Sequence, residues 1–306
     1  MTPELIAWKD GGRFTQLDLL GLNVFYKDIG DSNAAAEKTL LLIHGFPESS
    51  FSFNKVLEGL QRHFDRIVLL DLPGYGFSDK PGVEYSYSLI SQADAALSIW
   101  RHVGVRGGHV LSHDMGTSVL TEIVARHVSQ QLPAWFDCGL QSITFTNGSM
   151  VLELARLRLM QRVLLNKTLG PIVGPLAGYS LFAKNIRSAH GADIDESDIE
   201  SLWQGCQYND GHKKNHHLIR YLNDRRRFEK TRWLPALQVA GTSLATHICW
   251  GDADQVARVS MAHYLADNIC PSAKLTIMRR AGHFCQIASP EIWLKSVLAF
   301  YSSLEN

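Results

Sequence analysis

The sequence carries no excess of charge of either sign. Lys and Arg together number 30, as do Asp and Glu, so the formal net charge of the 306 residues is zero at pH 7. Proteins that bind nucleic acids or anionic membranes through general electrostatics have a surplus of positive charge. The overall balance therefore gives no electrostatic reason to expect nucleic acid or an anionic membrane as a partner.

Long apolar runs are also absent. No stretch of the sequence approaches the roughly 18 consecutive apolar residues that a spanning helix needs. The opening residues Met-Thr-Pro-Glu-Leu lack the basic segment and apolar stretch of a secretory signal. We therefore expect a protein with no stable membrane span.

Cysteines are few, odd in number and not spaced in Cys-x-x-Cys pairs. This pattern predicts reduced thiols in a reducing compartment, and hence a cytoplasmic protein. His212, His216 and His217 are loosely spaced and no carboxylate completes them as a metal site. We expect neither a metal nor another cofactor. The five cysteines are Cys138, Cys206, Cys249, Cys270 and Cys285.

Strand-like apolar runs alternate with helical patterns along most of the chain. This alternation predicts an α/β fold with a mostly parallel central sheet and helices on both faces. A continuous apolar run such as Thr39–Ile43 is typical of a strand that is buried on both faces. The predicted strands are Leu22–Ile29, Thr39–Ile43, Arg66–Leu72, Gly108–His113, Leu140–Thr146, Thr246–Trp250 and Lys274–Met278.

The alternation breaks in the middle of the chain, where helical patterns continue but no strand is predicted. We interpret residues 1–149 and 241–306 as one α/β core, and residues 150–240 as a helical insertion that forms a cap over it. The helices predicted in the helical insertion are Val151–Leu165, Asp195–Gln207 and His216–Lys230. The first of these is Leu-rich, and we expect it to line a pocket rather than to lie on a membrane surface.

The strongest chemical signal is Ser112-His113-Asp114-Met115-Gly116, which joins a predicted strand to a predicted helix. Small residues two positions before and after Asp114 permit a sharp turn that presents the middle side chain above the sheet. Such turns usually carry a serine nucleophile, and here the residue is an aspartate. The free N–H groups and the dipole at the start of the following helix would keep this carboxylate ionised.

A second motif, His44-Gly45-Phe46-Pro47, directly follows a buried strand. Its glycine-containing turn can direct a backbone N–H towards the nucleophile. The amides of Phe46 and Met115 would then form a two-donor oxyanion hole.

The loops after the last two predicted strands supply the candidate acid and the candidate base of the site. Gly251-Asp252-Ala253-Asp254 follows one of them, and Ala281-Gly282-His283 follows the other. Either aspartate of the first motif could orient His283. The order nucleophile, acid, histidine, each after a strand, places all three side chains at the same edge of an open sheet.

Together these motifs resemble the α/β-hydrolase superfamily over nearly the whole chain. The aspartate elbow is similar to that of epoxide hydrolases and haloalkane dehalogenases, and the spacing in these families favours Asp254 over Asp252. Within the superfamily, the chain resembles the mesoderm-specific transcript protein group, which has no clear activity to carry over. The matching segments are His44–Pro47, Gly76–Pro81, Leu111–Asp114, Asn147-Gly148 and Asn209–Gly211.

A carboxylate nucleophile restricts the substrate. Attack on an acyl carbon would leave a mixed anhydride, whereas attack on a saturated electrophilic carbon leaves an alkyl ester of Asp114. His283 would then activate water to attack the carbonyl of that ester. The resemblance therefore implies a hydrolase that acts on a hydrophobic small molecule through a covalent alkyl-enzyme ester.

Epoxide hydrolases and haloalkane dehalogenases differ in the residues that assist the leaving group. Haloalkane dehalogenases place Trp directly after the nucleophile, where this chain has Met115. Epoxide hydrolases use two tyrosines of the cap as proton donors; Tyr221 resembles one, and Tyr179 is a candidate for the other. We therefore expect an epoxide hydrolase, with His44 and Trp203 contacting the substrate.

Two alternative hypotheses remain open from the sequence. One is a haloalkane dehalogenase or ester-type hydrolase on the same scaffold. The other is a non-catalytic α/β-hydrolase that binds a hydrophobic small molecule, although intact candidate residues at positions 114, 254 and 283 argue against it. A homo-oligomer is compatible with each hypothesis.

Overall fold

A central sheet of eight strands organises the molecule, as seen in a computed structural model that describes residues 1–17, 21–82, 84–148, 150–155 and 157–305. The boundary predicted at residue 149 lies outside the described residues. The strands are β1 (Arg13–Leu17), β2 (Leu22–Gly30), β3 (Thr39–Ile43), β4 (Arg66–Leu70), β5 (Gly107–His113), β6 (Gly139–Thr146), β7 (Ala245–Gly251) and β8 (Lys274–Met278).

The strand order is β1-β2-β4-β3-β5-β6-β7-β8. The pairs β1–β2 and β2–β4 are antiparallel. The remaining pairs, β4–β3, β3–β5, β5–β6, β6–β7 and β7–β8, are parallel. The prediction of a mostly parallel sheet is confirmed. The carboxyl ends of β3, β5, β6, β7 and β8 therefore meet at one edge of the sheet.

The central strands are buried because both of their faces carry apolar side chains. Leu41 and Ile43 of β3 belong to one apolar cluster, and Leu40 and Leu42 belong to the cluster on the other face. Successive side chains of a strand point to opposite faces, so a continuous apolar run serves both clusters. This packing fixes the position of the loop that follows β3.

The part of the chain that the structure describes also contains fourteen α-helices. They are α1 (Pro3–Asp10), α2 (Asn54–Gln61), α3 (Leu89–His102), α4 (Met115–Val128), α5 (Leu159–Leu165), α6 (Gly170–Leu176), α7 (Tyr179–His190), α8 (Glu196–Gln207), α9 (Asn215–Leu218), α10 (Tyr221–Phe228), α11 (Leu234–Ala240), α12 (Val259–Tyr264), α13 (Cys285–Ala288) and α14 (Pro290–Tyr301). Helices α3, α4 and α11 pack on one face, and α2 and α14 on the other. None of the described helices is long and apolar enough to cross a membrane.

The helical insertion differs in detail from its prediction. The described residues of Val151–Leu165 become helical only at α5, because the chain before it is held in an irregular path: the amide of Leu152 donates to Glu229 Oε2 at 2.8 Å. The predicted helix His216–Lys230 is split into α9, α10 and a π-helical turn. Arg156 lies outside the described residues.

Candidate active site

Asp114 occupies a sharp turn between β5 and α4. Its backbone has φ 45° and ψ −115°, a conformation that costs energy for any residue other than glycine. Gly116 permits the turn, because a Cβ atom there would lie 2.5 Å from the carbonyl oxygen of His44. The fold therefore holds a strained aspartate above the centre of the sheet, where strain is commonly associated with function.

The loop after β3 supplies a backbone donor to this aspartate. The amide of Phe46 donates to Asp114 Oδ2 at 2.9 Å. Gly45 allows the two loops to approach, because a Cβ atom at this position would lie 2.5 Å from the Cβ of Asp114. Met115 begins α4, so its amide belongs to the first turn, whose N–H groups have no partner within the helix.

His283 lies between two carboxylates. Its Nδ1 is 2.7 Å from Asp254 Oδ2, and its Nε2 is 3.5 Å from Asp114 Oδ1. Asp252, the other candidate acid, is exposed and accepts a hydrogen bond from the Arg280 amide at 2.6 Å. Of the two aspartates left open by the sequence, Asp254 is the one in contact with the histidine.

Charge raises the basicity of this histidine. Burial alone would lower the pKa of His283, but the carboxylates of Asp254, Asp114 and Glu48 raise it to about 9. The raised pKa favours the protonated imidazole at neutral pH. Loss of the charge of Asp114 would lower the pKa of His283 again.

Asp254 is fixed by four hydrogen bonds. Its Oδ1 accepts from the amides of Val256 and Ala257 at 2.7 and 2.9 Å, and its Oδ2 accepts from His283 and from Asn147 Nδ2, the latter at 2.7 Å. Asn147-Gly148 is one of the matching segments of the sequence, but no role in the site was predicted for Asn147. Its place directly after β6, at the same edge as the other motifs, was the signal that could have assigned it to the site.

A buried network behind Asp114 was also missed. Glu48 Oε1 contacts His113 Nδ1 and accepts from the Gly45 amide at 2.9 Å, while Gln286 Nε2 donates to Glu48 Oε2 at 3.0 Å. His113 Nε2 lies 2.9 Å from the carbonyl oxygen of His283. The network links the loop after β3 to the loop that carries the histidine. Distances between loops far apart in sequence cannot be obtained from motif spacing.

An apolar cavity opens above Asp114 and His283. Phe46, Tyr221 and Trp203 are part of its wall, and none of the described lining residues is serine, threonine or cysteine. Asp114 is therefore the lining side chain best suited to act as a nucleophile. The other lining residues are Pro47, Arg158, Met160, Gln161, Leu164, Gly174, Ala177, Leu181, Phe182, Asn185, Ile186, Ala189, Asn215, Val256 and Phe284.

Tyr221 stands at the start of α10 with its ring 6.2 Å from that of Phe46. Burial, and then the charge of Asp114, raises the pKa of Tyr221, so its hydroxyl stays protonated. The guanidinium of Arg225 lies 5.0 Å from the centre of the tyrosine ring and opposes this shift. Tyr75, which the sequence did not single out, is buried nearby and also interacts with Asp114 and Tyr221.

Two predicted site residues lie elsewhere. Tyr179 is not among the described lining residues, and its hydroxyl donates to Glu196 because α7 and α8 pack together. His44 is fully buried outside the cavity lining, with Nδ1 2.8 Å from the Gly45 carbonyl oxygen and Nε2 accepting from the Leu72 amide at 3.0 Å. The structure thus brings neither residue to the cavity, in contrast to Trp203.

The chain matches known proteins over most of its length. Residues 38–290 match the family model described as alpha/beta hydrolase fold. The mesoderm-specific transcript homolog protein of Homo sapiens is 30% identical over an alignment of 309 positions, which covers 99% of this chain and 89% of that protein. LipZ, a candidate hydrolase of Mycobacterium tuberculosis, is 34% identical over 302 residues, which cover 97% and 98% of the two chains.

Among solved structures, a membrane phospholipase A that is a bacterial virulence factor superposes with a TM-score of 0.77. The alignment covers 99% of this chain and 91% of that chain, at 23% sequence identity. At this identity the likeness concerns the fold alone, and the reaction has to be argued from the residues of the site.

Proposed function

This chain belongs to the α/β-hydrolase fold family, and we propose that it is an epoxide hydrolase whose nucleophile is Asp114. One observation carries the proposal: the elbow places a carboxylate between a backbone N–H donor and an imidazole. Asp114 Oδ2 is 2.9 Å from the Phe46 amide, and Oδ1 is 3.5 Å from His283 Nε2. The two oxygens therefore have different surroundings and different roles.

In the first step, Asp114 Oδ1 attacks a carbon of the epoxide. A C–O bond forms, the C–O bond of the ring breaks, and its electron pair moves to the epoxide oxygen. Tyr221 lines the cavity, and in this proposal its hydroxyl donates a proton to that oxygen. Alkylation removes the charge of Asp114, so the pKa of His283 falls and its proton can restore the tyrosine.

In the second step, neutral His283 activates water. The water oxygen attacks the ester carbonyl carbon, and negative charge develops on Asp114 Oδ2, which the Phe46 and Met115 amides stabilise. The intermediate collapses, one proton of the water having passed to His283 and the other to the departing hydroxyl. The diol leaves, and the aspartate and imidazolium are restored.

The choice of an epoxide over a halide depends on the donors near the nucleophile. A halide leaves as an anion and needs N–H donors, whereas an epoxide oxygen needs a proton. Met115 offers no side-chain donor at the position after Asp114, whereas Tyr221, which carries a hydroxyl, is among the lining residues of the cavity. These two residues favour epoxide opening.

Trapping the ester tests the proposal. In His283→Gln the second step loses its base, so turnover should fall by about 10²- to 10⁴-fold while alkylation continues. Incubation with panels of epoxides and haloalkanes, followed by intact-protein mass measurement and peptide mapping, should show an epoxide adduct on Asp114. Asp114→Ala should show neither adduct nor turnover.

Other outcomes would contradict the proposal in distinct ways. Adducts formed only from haloalkanes would identify a dehalogenase. Full turnover by Asp114→Ala would remove the carboxylate mechanism. No adduct with any electrophile, together with tight binding of apolar compounds, would identify a binding protein instead of an enzyme.

A further inference from the structure

Large apolar side chains are exposed along one short segment of the helical insertion. Leu159 and Leu176 each keep 78% of their surface exposed. Residues 159–181 contain five of the eleven exposed large apolar side chains in the described part of the chain. The five are Leu159, Leu169, Ile172, Leu176 and Leu181.

The helices that expose these side chains also line the cavity. Leu164 of α5, Gly174 of α6 and Phe182 of α7 face the cavity, while apolar neighbours on the same helices face solvent. A helix that is apolar on both sides is expected to have both sides covered. Contiguous exposed apolar surface commonly marks an interaction site.

The charge of the same segment is positive. Residues 154–192 contain six Lys and Arg and no Asp or Glu, although the whole chain is neutral. Arg162, Lys167 and Lys184 are exposed and form no ion pair with any of the described residues. Arg187 is compensated, since it pairs with Glu196. The expectation drawn from net charge overlooked this local excess.

We propose that α5, α6 and α7 dock on the surface of an anionic lipid bilayer. The apolar side chains would enter the boundary between headgroups and acyl chains, and the three unpaired cations would contact lipid phosphates. A second copy of the chain is a poor occupant, because a two-fold interface would bring two positive surfaces together. This docking surface consists of Leu159, Arg162, Lys167, Leu169, Ile172, Leu176, Leu181 and Lys184.

Docking would place the cavity next to the lipid. The helices of the docking surface form one wall of the cavity that contains Asp114 and His283. An apolar substrate dissolved in the bilayer could then enter without crossing water. This consequence for catalysis rests on the proposed function, whereas binding to the bilayer does not.

Vesicle binding by the full chain tests the proposal. Wild type should sediment with vesicles of phosphatidylcholine mixed with phosphatidylglycerol, and much less with phosphatidylcholine alone. Lys167→Gln should weaken binding about fivefold, since a basic residue near an anionic surface contributes about that factor. Ile172→Ser should weaken it by about tenfold or more. Both side chains are exposed, so the fold should survive, which circular dichroism can verify.

Helix α14 offers matched controls, because Lys295 and Ile292 are also exposed but lie outside the docking surface. Lys295→Gln and Ile292→Ser should bind vesicles as wild type does. The proposal would be overturned if the two substitutions in α14 weakened vesicle binding as much as the two in the docking surface. It would also be overturned if vesicles with and without phosphatidylglycerol bound the protein equally. Sedimentation equilibrium showing a dimer that Ile172→Ser dissociates would overturn it as well. Loss of vesicle binding with epoxide turnover intact in detergent would separate docking from catalysis.

Discussion

Asp254 and Arg225 are both buried charged residues of the candidate site, but their surroundings differ. The carboxylate of Asp254 accepts four hydrogen bonds from loops that follow the strands. The guanidinium of Arg225, in the helical insertion, bonds through Nε to Ser118 Oγ at 2.7 Å, while its two terminal nitrogens have no hydrogen-bond partner among the described residues. The carboxylate of Asp254 is therefore fully hydrogen-bonded, whereas most of the guanidinium of Arg225 is not.

The α/β core and the helical insertion differ in the same way when all of their buried polar atoms are considered. Ten buried side-chain nitrogen and oxygen atoms lack a hydrogen bond of good geometry in the described part of the chain, and six of them lie within residues 150–240, although His190 and His216 still interact with the backbone of Asp193 and Lys213. An unsatisfied buried polar atom destabilises the folded state by about 1–3 kcal/mol. The strand-end loops therefore satisfy the buried polar groups of the candidate site more fully than the helical insertion does.

Replacing the acid should have the largest effect. Asp254→Asn keeps the shape of the side chain but removes the charge that orients and stabilises the imidazolium, so turnover should fall by about 10⁴-fold. The ester of Asp114 should still form, because its attack does not require Asp254. Asp252→Asn is the matched control: its side chain bonds only to the Arg280 amide among the described residues, and turnover should be unchanged. Equal losses in the two variants would contradict the assignment.

The same variant has a pH signature in the free enzyme. Burial would lower the pKa of His283, but Asp254 leads the charges that raise it from 6.5 to about 9. A raised pKa adds stability that is complete below pH 6.5 and is lost as the pH rises to about 9. Urea unfolding of wild type should show this loss, and Asp254→Asn should show a smaller one. An identical pH dependence in both proteins would mean that Asp254 does not set the charge of His283.

The tyrosines of the helical insertion provide a second comparison. Tyr221→Phe removes the proposed proton donor, so epoxide opening should slow by about 10²-fold, while alkylation by a haloalkane, which needs no proton, should be unaffected. Tyr179→Phe removes a hydroxyl that bonds to Glu196, and it should leave both rates unchanged. Pre-steady-state measurement of ester formation distinguishes the two steps. Normal epoxide opening by Tyr221→Phe would exclude it as the donor.

The core half of the site could be predicted from sequence because its constraints are local. A strand buried on both faces, a small residue two positions on either side of Asp114, and a loop after each strand determine where the motifs converge. Motif spacing within the chain left Asp252 and Asp254 both open, since both follow β7 and differ by two positions, and the contacts of Asn147 and Glu48 needed the structure. The separation of Asp252 and Asp254 results from the backbone turn, in which the amides of Val256 and Ala257 capture Asp254.

The helical insertion was less predictable because its order depends on contacts distant in sequence. The carbonyl oxygen of His190, at the end of α7, accepts from the His283 amide at 2.9 Å, although 93 positions separate the two residues. Tyr179 matched the expected residue type, but the packing of α7 against α8 directs its hydroxyl to Glu196. Residue type gave the candidates in this region, and tertiary packing selected among them.

Substitution of Arg225, the incompletely hydrogen-bonded charge of the helical insertion, should have the smallest effect on the rate. Its guanidinium lies over the ring of Tyr221, and its positive charge would favour the phenolate that the proposed proton donation leaves. Cation–π contact at a desolvated site is worth enough to change a rate by about tenfold. Arg225→Met should therefore slow epoxide opening by about this factor, and Arg225→Lys should recover part of the loss.

Controls separate this role from a structural one. Ser118→Ala removes the hydroxyl that binds Arg225 Nε but leaves the charge over the ring, so it should affect epoxide opening less than Arg225→Met does. If Arg225→Met slowed alkylation by haloalkanes as much as opening of epoxides, Arg225 would support the fold of α10 and not the acidity of Tyr221.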